Sequence, residues 1–449
     1  MKYFGTRIAI WSLLFIVGCQ PYATDQTNTN YKLGAIGAFG EMVDAGVKRL
    51  ALSAVMSTEE MDAFIDQAQE VAARNNVQLY RESDLIVTDL FPTDVAKDKE
   101  VLVIYQGNTL DAYLKLKEDK EALVSSSTYS GEGRLEISRR FGRLLSYSPK
   151  KINSLLSQNT DLRTMTDFGV KATNVFLYYK DLPKATDFYT KTIGLELLAE
   201  YDNASILRIA ESSFVILVDA AKGMHTADEP KTVALALLTY QLADWYDHLL
   251  ANDVEIKYTY KPKDGGPHDG FVAVDPEGYL LEFETFKQHS ENELFMEYLD
   301  NNKTIPTSVG DGLGFNGVIT WMYYKDVLKM QSFVENVLGL ELVADQGWAL
   351  IYKATDTGFI GLVDERRGMH KFTEEKAVTV SLIMDDPDGW FDYVSTNQSF
   401  NLRSDSVGTG PDGKYRAFVG YDPEGYFLEF DKFYEHADNA KLMEYLDQL

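Results

Sequence analysis

From Thr173 onward, short apolar runs alternate with stretches of helical spacing. NVFLYY is followed by PKATDFYTKTI, and then by runs around LELLAEY, SILRIA and FVILVD. TVALALLT precedes ADWYDHLLAND, and EIKYTYK, GFVAV and YLLEF follow. Apolar runs of this length bounded by turn residues predict strands, and the three-to-four spacing predicts helices, so the pattern reads βαβββ written twice. Two such modules can curl into a cupped sheet with helices outside and a concave face for a ligand.

The segment 31–167 gives an α/β reading. VKRLALSAV and EVLVIYQ predict buried strands, and STEEMDAFIDQAQEVAARNN has helical spacing behind a Ser/Thr-x-x-Glu start. RRFGRLLSYSPKKINSLL reads as a packing helix pair broken at Pro149. KLGAIGAFGEM is rich in glycine but has neither the dinucleotide nor the P-loop spacing, so no cofactor is assigned there.

The chain then repeats itself. YYKD recurs at Tyr178 and Tyr323, GLEL at Gly194 and Gly339, and GMH at Gly223 and Gly368, all 145 residues apart. DPEGY at Asp275 and Asp422, and MEYLD at Met296 and Met443, are 147 apart, so the second copy gained two residues between these anchors. A colinear match of this extent is a duplicated domain and not a solenoid of short units. The expected architecture is α+β: a separate α/β domain, a first cup over 170–300 and a second over 315–449.

KDLPKATDFYTKTIGLEL, ADWYDHLLANDVEI and the closing DPEGYLLEF resemble the vicinal oxygen chelate superfamily of glyoxalase I, extradiol dioxygenases and the fosfomycin and bleomycin resistance proteins. The resemblance implies that each copy forms one cup and that the two copies pack as an internal pseudo-dimer. It also implies a metal held by residues from the first strand, the strand opening the second module and the last strand. Those positions fall on Asn174 and Ile319, on Ala234 and Thr379, and on Glu282 and Glu429. Only the glutamates are usual ligands, so the conventional centre is expected to be absent from both copies.

His225 and His370 share the GMH loop position. They are the candidates for an unconventional divalent metal site or for acid–base catalysis, His225 with Glu282 or His370 with Glu429. The competing reading is a loop histidine bonded to backbone. His289 and His436 belong to a docking helix, and Trp245 and Trp390 to the core. Without a metal, Asn174, Tyr178, Glu282 and Glu429 are the expected ligand-binding residues, with aromatic surface from Tyr178, Tyr179, Tyr258 and Tyr260. A buried carboxylate needs a cation, a donor or a metal.

Charge narrows the partners. With 43 basic and 69 acidic side chains the net charge is −26, which repels nucleic acid. At the N-terminus, Lys2 and Arg7 precede an apolar run from Ile8 to Val17 that ends in IVGC, whose Cys19 is the only cysteine. A run that short suits a signal-peptide core better than a membrane span. The stretch resembles the lipobox of bacterial lipoproteins, which implies a signal peptide over 1–18, acylation of Cys19 and a polar tether over 19–30. With Gln20 after the cysteine, it also implies an outer-membrane address. The alternative is a plain secretory signal. Three functions compete, in this order: a cup that binds a small molecule without the conventional metal; a metal-dependent lyase, isomerase or dioxygenase with an unconventional site; and a structural or partner-binding lipoprotein.

Overall fold

The computed structural model describes residues 25–91, 97, 99–126, 129, 131–156, 164–310, 312–395 and 400–449. The expected signal peptide over 1–18 and Cys19 lie outside the described residues. The chain divides into two compact units. One takes residues up to Val87, with Phe91–Glu118 and Leu144–Ser146; the other takes Thr88–Leu90, Asp119–Arg143 and Tyr147–Leu449.

The first unit begins with α1 (Asp25–Asp44), so residues 25–30, expected in the tether, are helical. Strand β1 (Leu50–Leu52), helix α2 (Thr58–Arg74), strands β2 (Gln78–Glu82) and β3 (Val101–Tyr105) and the start of α3 (Thr109–Ser125) follow. Ser57 and Glu60 close the predicted capping box on α2. The antiparallel sheet has β3 in the middle. Met61, Phe64, Leu102 and Ile104 fill its core. Of the glycines of α1, Gly40 serves packing: a Cβ added there would meet Asn75 at 3.1 Å.

Asp119–Arg143 and the stretch from Tyr147, expected with the N-terminal domain, belong to the second unit instead. They include most of α4 (Gly131–Leu144) and all of α5 (Pro149–Leu156), whose first residue is the predicted helix breaker. On α4, Arg139 donates to the Glu335 carbonyl at 3.0 Å and Arg143 to the Glu335 carboxylate at 3.1 Å. These charge-assisted bonds draw the helix to the duplicated region.

In the first copy the elements are β4 (Val170–Tyr179), α6 (Leu182–Asp187), β5 (Glu196–Tyr201), β6 (Ala204–Ala210) and β7 (Ser213–Asp219), then β8 (Val233–Leu238), α7 (Leu242–Ala251), β9 (Ile256–Tyr258), β10 (His268–Val274) and β11 (Leu280–Phe286). Helix α8 (Glu293–Leu299) and the short β12 (Ile305–Pro306) and β13 (Gly314–Phe315) lead to the second copy. There β14 (Gly317–Tyr324), α9 (Val327–Phe333), β15 (Glu341–Asp345), β16 (Ala349–Lys353) and β17 (Gly358–Asp364) precede β18 (Val378–Met384), α10 (Pro387–Ser395), β19 (Asn401–Leu402), β20 (Gly408–Thr409), β21 (Tyr415–Tyr421), β22 (Phe427–Phe433) and α11 (Ala440–Leu446). This is the βαβββ rhythm read from the sequence.

The pairing departs from expectation. Strands β4–β7 join β18–β22 in a nine-stranded sheet, and β8–β11 join β14–β17 in an eight-stranded one. Each sheet therefore takes one module from each copy, where the resemblance implied one cup per copy. The exchange is made by antiparallel ladders of β4 on β18 and of β8 on β14. The thirteen-residue link from Asp219 to Val233 is long enough to change sheets.

The strand period sorts the side chains. Val175, Leu177, Tyr179, Leu235, Leu237, Val318, Met322 and Leu382 point from both sheets into one shared core with Trp245 and Trp390 of the covering helices. The opposite face of each sheet carries a cluster of its own. The shared interior thus joins the helix-covered faces and not the cups.

The repeated phrases stitch the two sheets together. In YYKD and DPEGY of the first copy, the Tyr179 hydroxyl donates to Asp275 at 2.6 Å, and Glu277 accepts the N–H groups of Lys180 and Asp181, each at 2.9 Å. Tyr324, Asp422 and Glu424 repeat these bonds in the second copy. The Tyr279 hydroxyl accepts the Tyr178 N–H at 2.8 Å and donates to the Ala377 carbonyl at 2.6 Å. Tyr426 does the same with Tyr323 and Thr232, at 2.9 and 2.7 Å. Ser212 and Thr357, at matching positions, each receive the other's N–H on their hydroxyls at 2.8 and 3.0 Å. Reciprocal contacts of this kind mark a pseudo-two-fold relation between the copies.

Candidate functional site

The two cups differ in what fills them. On the concave face of the nine-stranded sheet is a cavity of about 620 Å³. Its walls include Phe176 and Tyr178 of β4, Tyr201 of β5, Tyr415 of β21 and Phe433 of β22, and Glu429 and Asp431 face it from β22. Helix α11 packs Leu442 and Leu446 into the same face.

Strand register aligns three polar residues across that face. Asn174 pairs with Ser381 on β18, and Ser381 with Glu429 on β22. Asn174 is 2% exposed, and both polar atoms of its amide lack partners. Glu429 is 8% exposed, and one of its carboxyl oxygens is equally unpartnered. The Ser381 hydroxyl donates to the Asp431 carboxylate. Burial, and then the neighbouring Asp431, push Glu429 well above the usual carboxylate range. Burial also pushes Asp431 up to about 6 despite the Ser381 bond. Two carboxyl groups this close share a proton more readily than they carry two charges.

The eight-stranded sheet has the equivalent row Ile319, Ala236 and Glu282. Trp321 stands where the other cup has Phe176, and Gly361 where it has Ile216. A Cβ added at Gly361 would overlap the Trp321 ring, so the indole lies across the cup floor. Phe295 of α8 packs edge-on to Phe286 and Phe359, at 4.7 and 4.8 Å between centroids. Burial, and then Glu284, raise the Glu282 pKa, with the Trp321 indole opposing. Glu284 is itself paired with His268.

The histidines sit with the other glutamates. The His225 ring lies 4.2 Å from Phe427, two residues before Glu429, and 4.9 Å from Tyr178, so it borders the cup of Glu429 and not that of Glu282. His370 stacks edge-on to Tyr323 at 5.0 Å, on the Glu282 side. Both expected pairings are thus exchanged, because the modules are. Burial lowers the His225 pKa although Glu229 holds its Nδ1 at 2.6 Å. Burial and Lys257 hold His370 at about 4. His289 and His436 accept backbone N–H groups at their helix starts, at 3.2 and 3.1 Å. Trp245 and Trp390 are fully buried.

Three expectations change. The polar row runs through Ser381 and Ala236, two residues beyond Thr379 and Ala234; Thr379 instead meets the Tyr178 hydroxyl at 2.8 Å. Tyr179 and Tyr260 turn toward the shared core, and Tyr258 is exposed, leaving Tyr178 alone of that set on the cavity wall. Asp431 and Glu284 were missed, although acids at i and i+2 on a strand share a face. The metal implied by the resemblance does not fit the row of the nine-stranded sheet, which offers an amide, a hydroxyl and a carboxyl but no imidazole. Among the described residues, no group of three or more His, Cys, Asp or Glu side chains could hold a metal ion.

Residues 171–283 match the family model of the Glyoxalase/Bleomycin resistance protein/Dioxygenase superfamily. Among solved structures the chain is similar to glyoxalase I from Zea mays, at 16% identity and a TM-score of 0.43, covering 62% of this chain and 95% of that one. It is similar also to lactoylglutathione lyase from Agrobacterium tumefaciens, at 17% identity and a TM-score of 0.22, covering 25% and 90%. A glyoxalase/bleomycin resistance protein/dioxygenase from Alicyclobacillus acidocaldarius gives 18% identity and a TM-score of 0.21, covering 25% and 89%. No curated protein matches the chain. The matched segment runs from β4 to β11 and so spans one module of each sheet.

Proposed function

With residues 171–283 a domain of the glyoxalase, bleomycin resistance and dioxygenase superfamily, we propose that the duplicated unit binds a small molecule in the nine-stranded cup, and that the eight-stranded cup is its filled counterpart. The observation that carries this reading is the contrast between Phe176 over Ile216 beside a cavity of about 620 Å³ and Trp321 across Gly361. A volume of that size suits a drug-sized ligand, and the mixture of rings with a few buried polar groups is that of small-molecule sites. Binding here needs no metal. The experiment transplants the filling: Phe176→Trp with Ile216→Gly places the other cup's side chains in this one. A compound library screened by thermal shift should give hits on the native protein that the transplanted variant loses. Hits that survive the transplant would place binding elsewhere and defeat the proposal.

The same reading attaches the protein to a bacterial envelope membrane through acylated Cys19, for which the IVGC stretch after a short apolar run is the support. Cys19→Ala should move the protein out of the membrane fraction or leave it unprocessed, and unchanged mass and fractionation would oppose it.

A further inference from the structure

The cavity also says what kind of molecule it takes. Six of its lining residues are acidic and two are lysines. Lys414 is already held by Asp438 at 2.6 Å, and Lys222 donates to the Asp202 carbonyl at 3.2 Å. At the floor, Glu429 keeps an unpartnered oxygen although it is more than nine-tenths buried, and Asp431 lies beside it on the same strand face. Asn174, two strands away in the same register row, has an unpartnered amide. A buried acceptor left without a donor is costly, and a ligand group carrying N–H donors would remove that cost.

We propose that the nine-stranded cup takes an organic ammonium, a primary or secondary amine on an aromatic or alkyl body, which seats its charged nitrogen on Glu429 and Asp431. This rests on the cavity being a ligand site, as proposed above. An anion would meet six acids with both lysines occupied. A neutral hydroxyl group could satisfy one lone pair but would leave the carboxyl charge desolvated. An ammonium satisfies the charge, and the rings of Tyr178, Tyr201 and Tyr415 add cation–π attraction. The protein's net charge of −26 raises the local concentration of cations at the mouth.

Binding should release a proton. The groups acting on Glu429 are Asp431 on its own strand and the exposed Arg403, whose guanidinium lies 5.1 Å above the Phe427 ring. Tyr178 of β4 and Tyr415 of β21 also face it, and both stay neutral through burial. Without ligand the carboxyl pair keeps a proton. An ammonium favours the charged pair, so affinity falls on acidification, by about tenfold per pH unit once one proton must be displaced.

The test uses tryptamine with tryptophol and indole-3-acetate, its neutral and anionic counterparts, titrated calorimetrically into the purified protein. Tryptamine should bind at least about tenfold more tightly than either counterpart at pH 7.5, a difference of about 1.4 kcal/mol, and should weaken at pH 5.5. Glu429→Gln with Asp431→Asn should erase the preference. Tyr415→Ala, a milder change at the wall, should weaken tryptamine more than tryptophol. If the counterparts bind as well as tryptamine and Phe176→Trp with Ile216→Gly removes all three, the ammonium assignment fails and the cavity proposal stands. If no binding responds to that double variant, both fail. Failure of tryptamine and of butylamine to bind at millimolar concentration overturns the assignment. So does stoichiometric calcium, magnesium or zinc, each added alone, that vanishes with the two carboxyl changes.

Discussion

Among the bonds that join the two sheets, one tyrosine hydroxyl on each side makes two. Tyr279 satisfies both the Tyr178 N–H and the Ala377 carbonyl in a fully buried position, and Tyr426 serves Tyr323 and Thr232 in the same way. Removing either hydroxyl leaves two backbone groups without a partner where water does not reach. Tyr279→Phe and Tyr426→Phe should each lower unfolding free energy by about 1–3 kcal/mol, read from denaturant midpoints, while Tyr258→Phe at an exposed position should change little. Equal midpoints for all three would remove the stitching role. At this scale the sequence was partly legible. The Asp-Pro-Glu-Gly turn and the buried tyrosines could be read from DPEGY, and Gly278 takes the positive φ of 100° that such a turn needs. The destination of each hydroxyl could not be read, because the carbonyl it meets lies 98 residues away for Tyr279 and 194 for Tyr426. The acidic pair Glu429 and Asp431 was legible in principle from strand period; that one oxygen would stay unpartnered depends on packing alone.

Among the elements, type and order followed from local pattern, while partnership did not. The βαβββ reading fits β4 to β7 and β8 to β11, since apolar period and turn residues act within a few residues. Which module closes a cup is decided by strands whose both edges must be covered. β4 has β7 on one side and β18 on the other, and β8 has β11 and β14. Own-copy and cross-copy pairing look alike in sequence, because the copies descend from one pattern and their strands have the same apolar faces. The consequence can be tested with residues 170–300 expressed alone. That fragment loses β14 and β18, so β4 and β8 each expose a long apolar edge, and such edges pair with another chain. It should dimerise or aggregate at micromolar concentration in light scattering. A cooperatively folding monomer would show that β4 and β8 pair within one copy and that the exchange is incidental. The boundary near residue 167 failed for a related reason: amphipathic period marks α4 as a packing helix but does not say what it packs on, and its arginines bond Glu335.

Taken whole, the duplicated unit buries more acid than it neutralises, and this sets its response to pH. Asp422 is pushed up to about 6 by burial against its Tyr324 and backbone bonds, and Asp431 also to about 6 by burial. Burial raises Asp275, Glu282 and Glu429 as well. A carboxyl group whose folded pKa exceeds its unfolded value keeps in the fold a proton that the unfolded chain releases. Its contribution is complete below the unfolded value near 4 and is lost as pH rises through the folded value. His268, raised by its bond to Glu284, acts in the same direction above its unfolded value. His225 and His370, lowered by burial, oppose this, but only as pH falls below about 6.5. Between pH 8 and 6 a carboxyl raised to about 6 gains only about 0.4 kcal/mol of the about 3 kcal/mol it reaches below about pH 4, and a histidine lowered to about 4 loses about 0.8 kcal/mol, so Glu282 and Glu429, raised well above the carboxylate range, set the sign and the protein should be more stable at pH 6. The net charge of −26 pushes the same way through surface repulsion, which salt screens. Urea midpoints at pH 6 and 8 in 0.5 M salt separate the two, since buried groups are screened much less. Glu429→Gln with Asp431→Asn should raise the midpoint at pH 8 and flatten the difference between the two pH values. A difference between pH 6 and pH 8 that these two changes leave unaltered in high salt would mean that Glu429 and Asp431 release their protons at ordinary cost, and the acidic floor of the cup would then carry full charge at neutral pH.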